Sequence, residues 1–154
     1  MKRVVKNKLE VMMRQSKFAA DKHFAIVIDD VALDEWLHHL YPSLHLLGMI
    51  PTLFDWIDDP DTTTFLQSRY QSAKPVEILP IMICPDDCDL SCTVIVAKVV
   101  QAGEHVIWEQ VGIDHSDISG DYQWVGSQVE WLTKVPPLVF DKAGYYAELN
   151  KIYG

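Results

Sequence analysis

Runs of aliphatic and β-branched residues divide the chain into two halves of different character. Residues 24–28 form the first such run, and short stretches with helical spacing follow it up to Ser72. Residues 76–83 and 93–100 are dense in Val and Ile, as buried strands are. One strand with short helices, followed by several strands, predicts an α+β domain.

Helical spacing and capping residues predict where the helices lie. A helix that opens at Asp30 or at Leu33-Asp34 must end before Pro42, because the residue before a proline is driven out of the helical region. Further helical segments are predicted along the rest of the chain: residues 43–47, 52–57, 62–72 and, after an Asp141 cap, 142–152.

The second half of the chain is predicted to form an antiparallel meander. The turn at Ala102-Gly103-Glu104 joins residues 93–100 to an alternating run at 105–113. A polar loop at 114–121 follows, and two more candidate strands come after it, at 128–133 and 138–140. We therefore expect an antiparallel sheet of about four to six strands with helices packed on one face.

The chain of 154 residues is the length of one domain. Residues 1–22 are expected to be a basic N-terminal helix or tail, since Val5, Leu9, Met12 and Met13 fall near one face of a helix. Residues 23–154 are then a single α+β domain. A self-associating protein, in which the basic segment docks on an acidic body, is one reading of this division.

Charge is distributed unevenly along the chain. The formal net charge is −9, yet residues 1–23 carry seven basic side chains against two acidic ones. The rest of the chain has six basic and 20 acidic side chains, a net of −14. A body so acidic repels phosphate backbones, which excludes nucleic acid as the expected partner. It attracts a basic protein instead, although solubility alone also explains an acidic composition.

Cysteine usage and hydropathy indicate the compartment. Three cysteines within nine residues are a poor disulfide framework, so reduced thiols in a cytoplasm are expected. No run of about 18 apolar residues exists, so no membrane span is expected. Charged residues also interrupt the N-terminal segment, where a signal peptide needs an apolar stretch.

Two clusters form the metal hypothesis, which is the alternative to protein binding. Cys84, Cys88 and Cys92 are spaced four apart, unlike common zinc or iron–sulfur patterns, and equally fit a turn with small buried thiols. Glu35-Trp-Leu-His38, with His39, resembles half of a di-iron helix motif, and equally fits ordinary helix-surface pairs. A small metal-binding protein or metal-dependent enzyme would use one of these clusters.

No catalytic or cofactor motif stands out from the sequence. The seven glycines form neither G-x-G-x-x-G nor a P-loop, and no serine lies in a G-x-S-x-G frame. We therefore expect no cofactor, and the balance favours a protein that is not an enzyme. Among five tryptophans, Trp124 follows the acidic loop closely. An exposed aromatic side chain among acids is typical of a binding hot spot, and a core position is the alternative.

Four segments of the C-terminal half resemble small bacterial proteins, some of them similar to immunity proteins of contact-dependent growth-inhibition and related toxin systems: residues 77–87, 92–96, 126–131 and 137–141. The resemblance implies a protein that neutralises a cognate toxin domain, often a basic nuclease, by covering its surface. The residues that we expect to contact such a partner are Asp86, Asp87, Asp89, Asp114, Asp117, Asp121 and Trp124.

Overall fold

A computed structural model describes residues 6–15, 21–86, 88, 90, 93–117 and 120–154. These residues form an α+β fold with two antiparallel sheets and three α-helices. The strands are β1 Leu9–Arg14, β2 His23–Ile28, β3 Val31–Ala32, β4 Ile50–Pro51, β5 Val76–Ile83, β6 Ile95–Ala102, β7 His105–Asp114, β8 Val129–Trp131 and β9 Leu138–Asp141. The helices are α1 Leu33–Leu40, α2 Pro60–Tyr70 and α3 Lys142–Tyr153.

The larger sheet has the predicted meander at its centre. Its six strands run in the order β4-β5-β6-β7, and both β8 and β9 pair with the far edge of β7. β8 pairs with the C-terminal end of β7 and β9 with the N-terminal end, so the two short strands lie along one line. The segment between them, residues 132–137, leaves that line and returns to it.

The smaller sheet, in the order β1-β2-β3, corrects the expectation for the N-terminal segment. Residues 9–14 form a strand rather than a helix or a tail, and they pair with β2 from Leu9↔Ile28 to Arg14↔His23. Leu9 and Val11 are buried while their neighbours are less covered, which is the alternation of a strand. Because β1 contributes buried side chains to the core, residues 9–14 pack in the same domain as the residues after 22.

Side chains of α3 cover the outer edge of β1. The Val11 N–H donates to Glu148 Oε1 at 3.1 Å, and Lys151 Nζ donates to the Val11 carbonyl at 3.4 Å. The hydrogen bond from Lys151 holds the pKa of the Glu148 carboxyl below its usual value, and the Val11 N–H acts in the same direction. An open strand edge invites pairing with another chain, and here two side chains fill it.

Aromatic side chains fill the space between the larger sheet and α3. Trp108 is fully buried, meets Phe140 edge to face, and donates its indole N–H to the Tyr145 hydroxyl at 3.0 Å. α2 joins the same layer because the Tyr70 hydroxyl donates to Asn150 Oδ1 of α3 at 2.6 Å. Burial raises the pKa of both Tyr70 and Tyr145 above the usual value, so these phenols stay neutral.

Three of the predicted helices are confirmed, and two are wrong. α1, α2 and α3 match the predictions for residues 33–40, 62–72 and 142–152, and Asp141 caps α3 by accepting from the Gly144 N–H at 3.3 Å. The segments at 43–47 and 52–57 contain only 3-10 turns, Pro42–Leu44 and Phe54–Trp56. Thr52 explains the second, because its buried hydroxyl donates to the Pro80 carbonyl and holds this segment extended beside β5.

The turn between β2 and β3 places two aspartates in the left-handed region, with φ of 51° at Asp29 and 69° at Asp30. Asp29 is held there by its carboxylate, which accepts from Asn7 Nδ2 at 2.7 Å and from the Lys8 N–H at 2.8 Å. Asp30 has the same backbone conformation, but its carboxylate accepts no hydrogen bond from any described residue. Two-residue hairpin turns of this kind favour glycine at the second position.

We expect Asp30→Gly to stabilise the protein by about 0.5–1 kcal/mol, because glycine adopts positive φ without steric cost. The matched variant Asp29→Gly should instead destabilise it, because two hydrogen bonds are lost. Urea unfolding of both variants measures the two changes. Equal effects of the same sign would contradict this account of the turn.

Candidate functional site

The connection from β7 to β8, residues 115–128, carries Trp124, and we call it the Trp124 loop. It contains the 3-10 turn Tyr122–Trp124. Asp114, at the end of β7, organises the loop, because its Oδ1 accepts from the Ser116 hydroxyl at 2.6 Å and from the Gly126 N–H at 3.2 Å. The predicted contact residue Asp114 is therefore half-buried and engaged inside the protein.

Asp121 caps the 3-10 turn that carries Trp124. Its Oδ1 accepts from the Gln123 N–H at 3.1 Å, and its Oδ2 accepts from the Gln123 side-chain amide at 2.7 Å. Asp121 itself is exposed. The turn continues into Val125, which is buried and anchors the loop on the core. Asp121 thus fixes the turn and also presents a carboxylate to solvent.

Arg69 of α2 binds the Trp124 loop to the rest of the protein. Its guanidinium donates to the carbonyls of Ile78 at 2.9 Å, Gln123 at 3.2 Å and Val125 at 3.1 Å. It also pairs with Glu77 at 3.3 Å, and the two side chains are only 14% and 16% exposed. A planar fork of five donors suits such a set of acceptors, whereas a lysine presents a single point of charge.

Tyr122 joins the loop to the start of α2. Its ring stacks on Phe65 with centroids 5.1 Å apart, and its hydroxyl lies 2.7 Å from Thr62 Oγ1 and 3.2 Å from Asp59 Oδ2. Hydrogen bonds from the Thr62 hydroxyl, the Asp61 N–H and the Tyr122 hydroxyl lower the pKa of the Asp59 carboxyl. The acidic start of α2 therefore lies beside Tyr122.

Gly126 allows the loop to close against β5. Its φ is +91°, and a Cβ there would lie 2.8 Å from the Ile78 side chain. Gly120, in the same loop, also has a positive φ, of +83°, but has open space around it. At position 126 both the positive φ and the contact with Ile78 require glycine, whereas at position 120 only the positive φ does.

The result is a fixed loop with a large aromatic side chain left in solvent. Trp124 is 52% exposed, whereas Trp108 is fully buried and the other three tryptophans are half-buried against the core. Exposed carboxylates lie in the same loop and at the start of α2, which contacts the loop through Tyr122: Asp117, Asp121, Asp58, Asp59 and Asp61. This surface, made of Trp124 and these acids, is the candidate site, and we call it the Trp124 surface.

Of the remaining predicted contact residues, the structure describes only Asp86. Asp86 is exposed in the turn after β5, and Asp87 and Asp89 lie outside the described residues. That turn and the Trp124 loop leave the same end of the larger sheet, because the Asp114 N–H donates to the Val94 carbonyl at 3.0 Å. The structure brings Asp117, Asp121 and Trp124 into one loop and does not place Asp86 in contact with them.

The sequence did not single out Arg69, Tyr122 or Asp59 as parts of this surface. The run Asp58-Asp59-Pro60-Asp61 lies between the predicted helical segments 52–57 and 62–72. Asp59 in fact caps α2, accepting from the Asp61 N–H at 3.1 Å. A capping aspartate followed by proline is a readable signal for a helix start, but nothing local marks its contact with Tyr122.

Three residues of the metal hypothesis, Cys84, Cys88 and Glu35, have partners within the described part of the protein. Cys88 Sγ lies 3.0 Å from the Pro85 carbonyl, Cys84 Sγ lies 3.8 Å from the Thr93 carbonyl, and Cys92 is outside the described residues. Glu35 pairs with Arg14 at 3.3 Å. His38 and His39 follow it on α1. Among the residues that the structure describes, no three His, Cys, Asp or Glu side chains are grouped to hold a metal ion.

Comparison with known proteins adds no relative. No protein-family model, curated protein or solved structure matches the chain. Of the helices within the described residues, none has the length and apolar character needed to cross a membrane.

We expect Gly126→Ala to destabilise the protein by about 2–4 kcal/mol, because the new methyl group meets Ile78 and the backbone conformation is strained. Gly120→Ala should cost about 1 kcal/mol, since only the backbone is strained. Urea unfolding gives both values, and a shift of Trp fluorescence reports displacement of the loop. A Gly126 variant no less stable than the Gly120 variant would contradict the close contact with Ile78.

The lowered pKa of Asp59 predicts a loss of stability in acid. A carboxyl whose pKa is depressed in the folded state contributes stability above its unfolded pKa of about 4, and that contribution disappears as the pH falls through the folded pKa. Asp59→Asn should therefore be less stable than the natural protein at pH 6 and should approach it near pH 2. Asp58→Asn is the matched control, and unfolding curves across this pH range measure both. A gap for Asp59→Asn that is unchanged at low pH would contradict the assignment.

Proposed function

We propose that this protein acts by binding another protein, and that the Trp124 surface is the centre of its interface. The observation that carries the proposal is an indole ring 52% exposed on a turn whose carbonyls are held by Arg69. Tryptophan is enriched among the residues that dominate binding energy. A turn that is already fixed loses little conformational freedom on association, so more of the contact energy appears as affinity.

The partner presents a basic face to this surface. Between residues 114 and 128 the chain has three aspartates and no lysine or arginine. Arg69, whose guanidinium donates to carbonyls of the loop, is paired with Glu77. Opposite charges speed the encounter of two proteins and exclude partners of the same sign. Trp124 then supplies the apolar contact and the aspartates supply orientation.

In its most specific form, the proposed role is that of an immunity protein in a bacterial cytoplasm. The resemblance of the C-terminal half to such proteins includes residues 126–131, directly after the exposed turn. A toxin domain that cleaves nucleic acid needs Lys and Arg side chains on its surface. An acidic surface with a central aromatic side chain is suited to cover them.

The test is a binding titration against the purified product of the adjacent gene. Trp124→Ala should weaken binding by about 2 kcal/mol, close to 30-fold, while leaving unfolding by urea nearly unchanged because the ring is exposed. Val76→Ala removes a comparably exposed apolar side chain, 44% exposed at the start of β5, and serves as the control. Equal affinities of the two variants would place the interface elsewhere.

Charge reversal tests the electrostatic part of the proposal. Asp117→Lys should lower the association rate by about tenfold at low salt and much less at about 0.5 M salt, where exposed charges are screened. Glu104→Lys makes the same charge change in the β6–β7 turn, at the other end of the larger sheet, and should have a small effect. Absence of binding at both salt concentrations would overturn the immunity role.

A further inference from the structure

β8 is an edge strand of the larger sheet. Only some of its backbone N–H and carbonyl groups form hydrogen bonds to β7. The His115 N–H donates to the Gln128 carbonyl and the Leu132 N–H donates to the Val111 carbonyl, both at 2.8 Å. In an antiparallel pair, hydrogen-bonded and non-hydrogen-bonded positions alternate. With Ile113 opposite Glu130, it follows that Glu130 faces β7 with its N–H and carbonyl. Val129 and Trp131 therefore direct their backbone groups away from the sheet.

Two other strand edges, that of β9 at Val139 and that of β1 at Val11, have partners within the chain. The Asn7 N–H donates to the Val139 carbonyl of β9 at 2.7 Å, and the Asn7 side chain accepts from the Val139 N–H at 2.9 Å. Glu148 and Lys151 fill the edge of β1 at Val11. Within the described residues, no group bonds to the outward N–H and carbonyl of Val129 and Trp131.

A shallow, open depression of about 540 Å³ is lined by His115 and residues 126–131. Its side chains are held in place. A Cβ on Gly112 of β7 would lie 2.6 Å from Val129 Cγ1 and 2.9 Å from Trp131 Cε3, so these two side chains lie over the glycine. Glu130 and His115 pair at 3.0 Å, and both are more than half exposed. The edge is thus preformed and flanked by an acidic side chain.

We propose that the outer edge of β8 binds an extended segment of a partner protein as an added strand, a mode in which backbone hydrogen bonds provide the affinity. Val129 and Trp131 offer two donors and two acceptors to such a strand. This inference rests on the proposed function for the kind of partner, and it adds the binding mode, because residues 126–128 connect this edge to the turn that carries Trp124.

Charge decides between a second copy of this chain and a different protein. Antiparallel pairing of two β8 strands about a two-fold axis at Glu130 would bring two Glu130 side chains together. Like charges directly opposite each other destabilise a strand pair. The occupant is therefore an extended segment of another protein that carries Lys or Arg on the side facing Glu130.

The first experiment uses a short capped peptide of alternating threonine and lysine as the probe, titrated into the full chain. Binding should shift the amide resonances of Val129 and Trp131 more than those of Glu130, whose N–H is already bonded to β7. The matched control is the same peptide with alternate amides N-methylated, which keeps the charge and removes one row of donors. It should bind about tenfold more weakly. Equal binding of the two peptides would overturn strand addition, since attraction by charge alone does not depend on the amides.

The second experiment changes the edge itself. Val129→Pro removes an outward N–H without removing a bond to β7, so the fold should remain and peptide binding should fall about tenfold. Glu130→Pro removes a bond to β7 and should destabilise the protein, which checks the orientation of the strand. If Val129→Pro folds and binds the peptide normally, the inference is wrong.

The two proposals fail separately. If the adjacent gene product binds with sensitivity to Trp124→Ala but not to Val129→Pro, the proposed function stands and strand addition is overturned. If the peptide binds along β8 while that product does not bind at all, strand addition is supported and the proposed toxin partner is overturned.

Discussion

The contact between Arg69 and the three carbonyls around it is the interaction on which the candidate site depends. A guanidinium taken out of water is costly unless its donors and its charge are matched, and here Glu77 supplies the charge while the carbonyls accept the hydrogen bonds. The arrangement joins α2, the start of β5 and the Trp124 loop at a single point. Without it, the turn that carries the exposed indole would lose the two hydrogen bonds that join it to α2 through Arg69.

Aspartates near this point act mainly through their acceptor oxygens. Asp114, where the loop begins, accepts from the Gly126 N–H near its end. Asp121 caps the 3-10 turn, and Asp59, at the start of α2, accepts from the Tyr122 hydroxyl. A carboxylate that accepts N–H or O–H groups fixes a loop without needing a cation nearby. Some of the aspartates that we assign to partner recognition therefore also hold the loop in its conformation.

Local sequence patterns predict the strands β5, β6 and β7 and the helix α3, but they do not predict β1. The runs that became β5, β6 and β7 are dense in β-branched residues, and α3 begins at a capping aspartate, so neighbours in sequence carry the signal. β1 is not predicted because Leu9, Met12 and Met13 fit the spacing of a helix as well as Leu9 and Val11 fit the alternation of a strand. Pairing with β2 decides between helix and strand. The acidic neighbours of Trp124 suggest an exposed ring, and Trp124 is 52% exposed. No pattern in the sequence suggests the role of Arg69, because its acceptors are backbone carbonyls up to 56 residues away, and no side-chain pattern marks a carbonyl.

Because side chains of α3 cover the outer edge of β1, this edge stays open until late in folding. Val11 is bonded to side chains 137 and 140 residues further along, so the earliest described strand is completed by the last helix. The meander of the larger sheet forms from neighbours in sequence and closes quickly, whereas contacts between distant segments form late. During synthesis, the hairpin of β1 and β2 leaves the ribosome with one side bare and stays so until the final turns of α3 have emerged. During that interval the bare edge of β1 is exposed to pairing with the wrong chain.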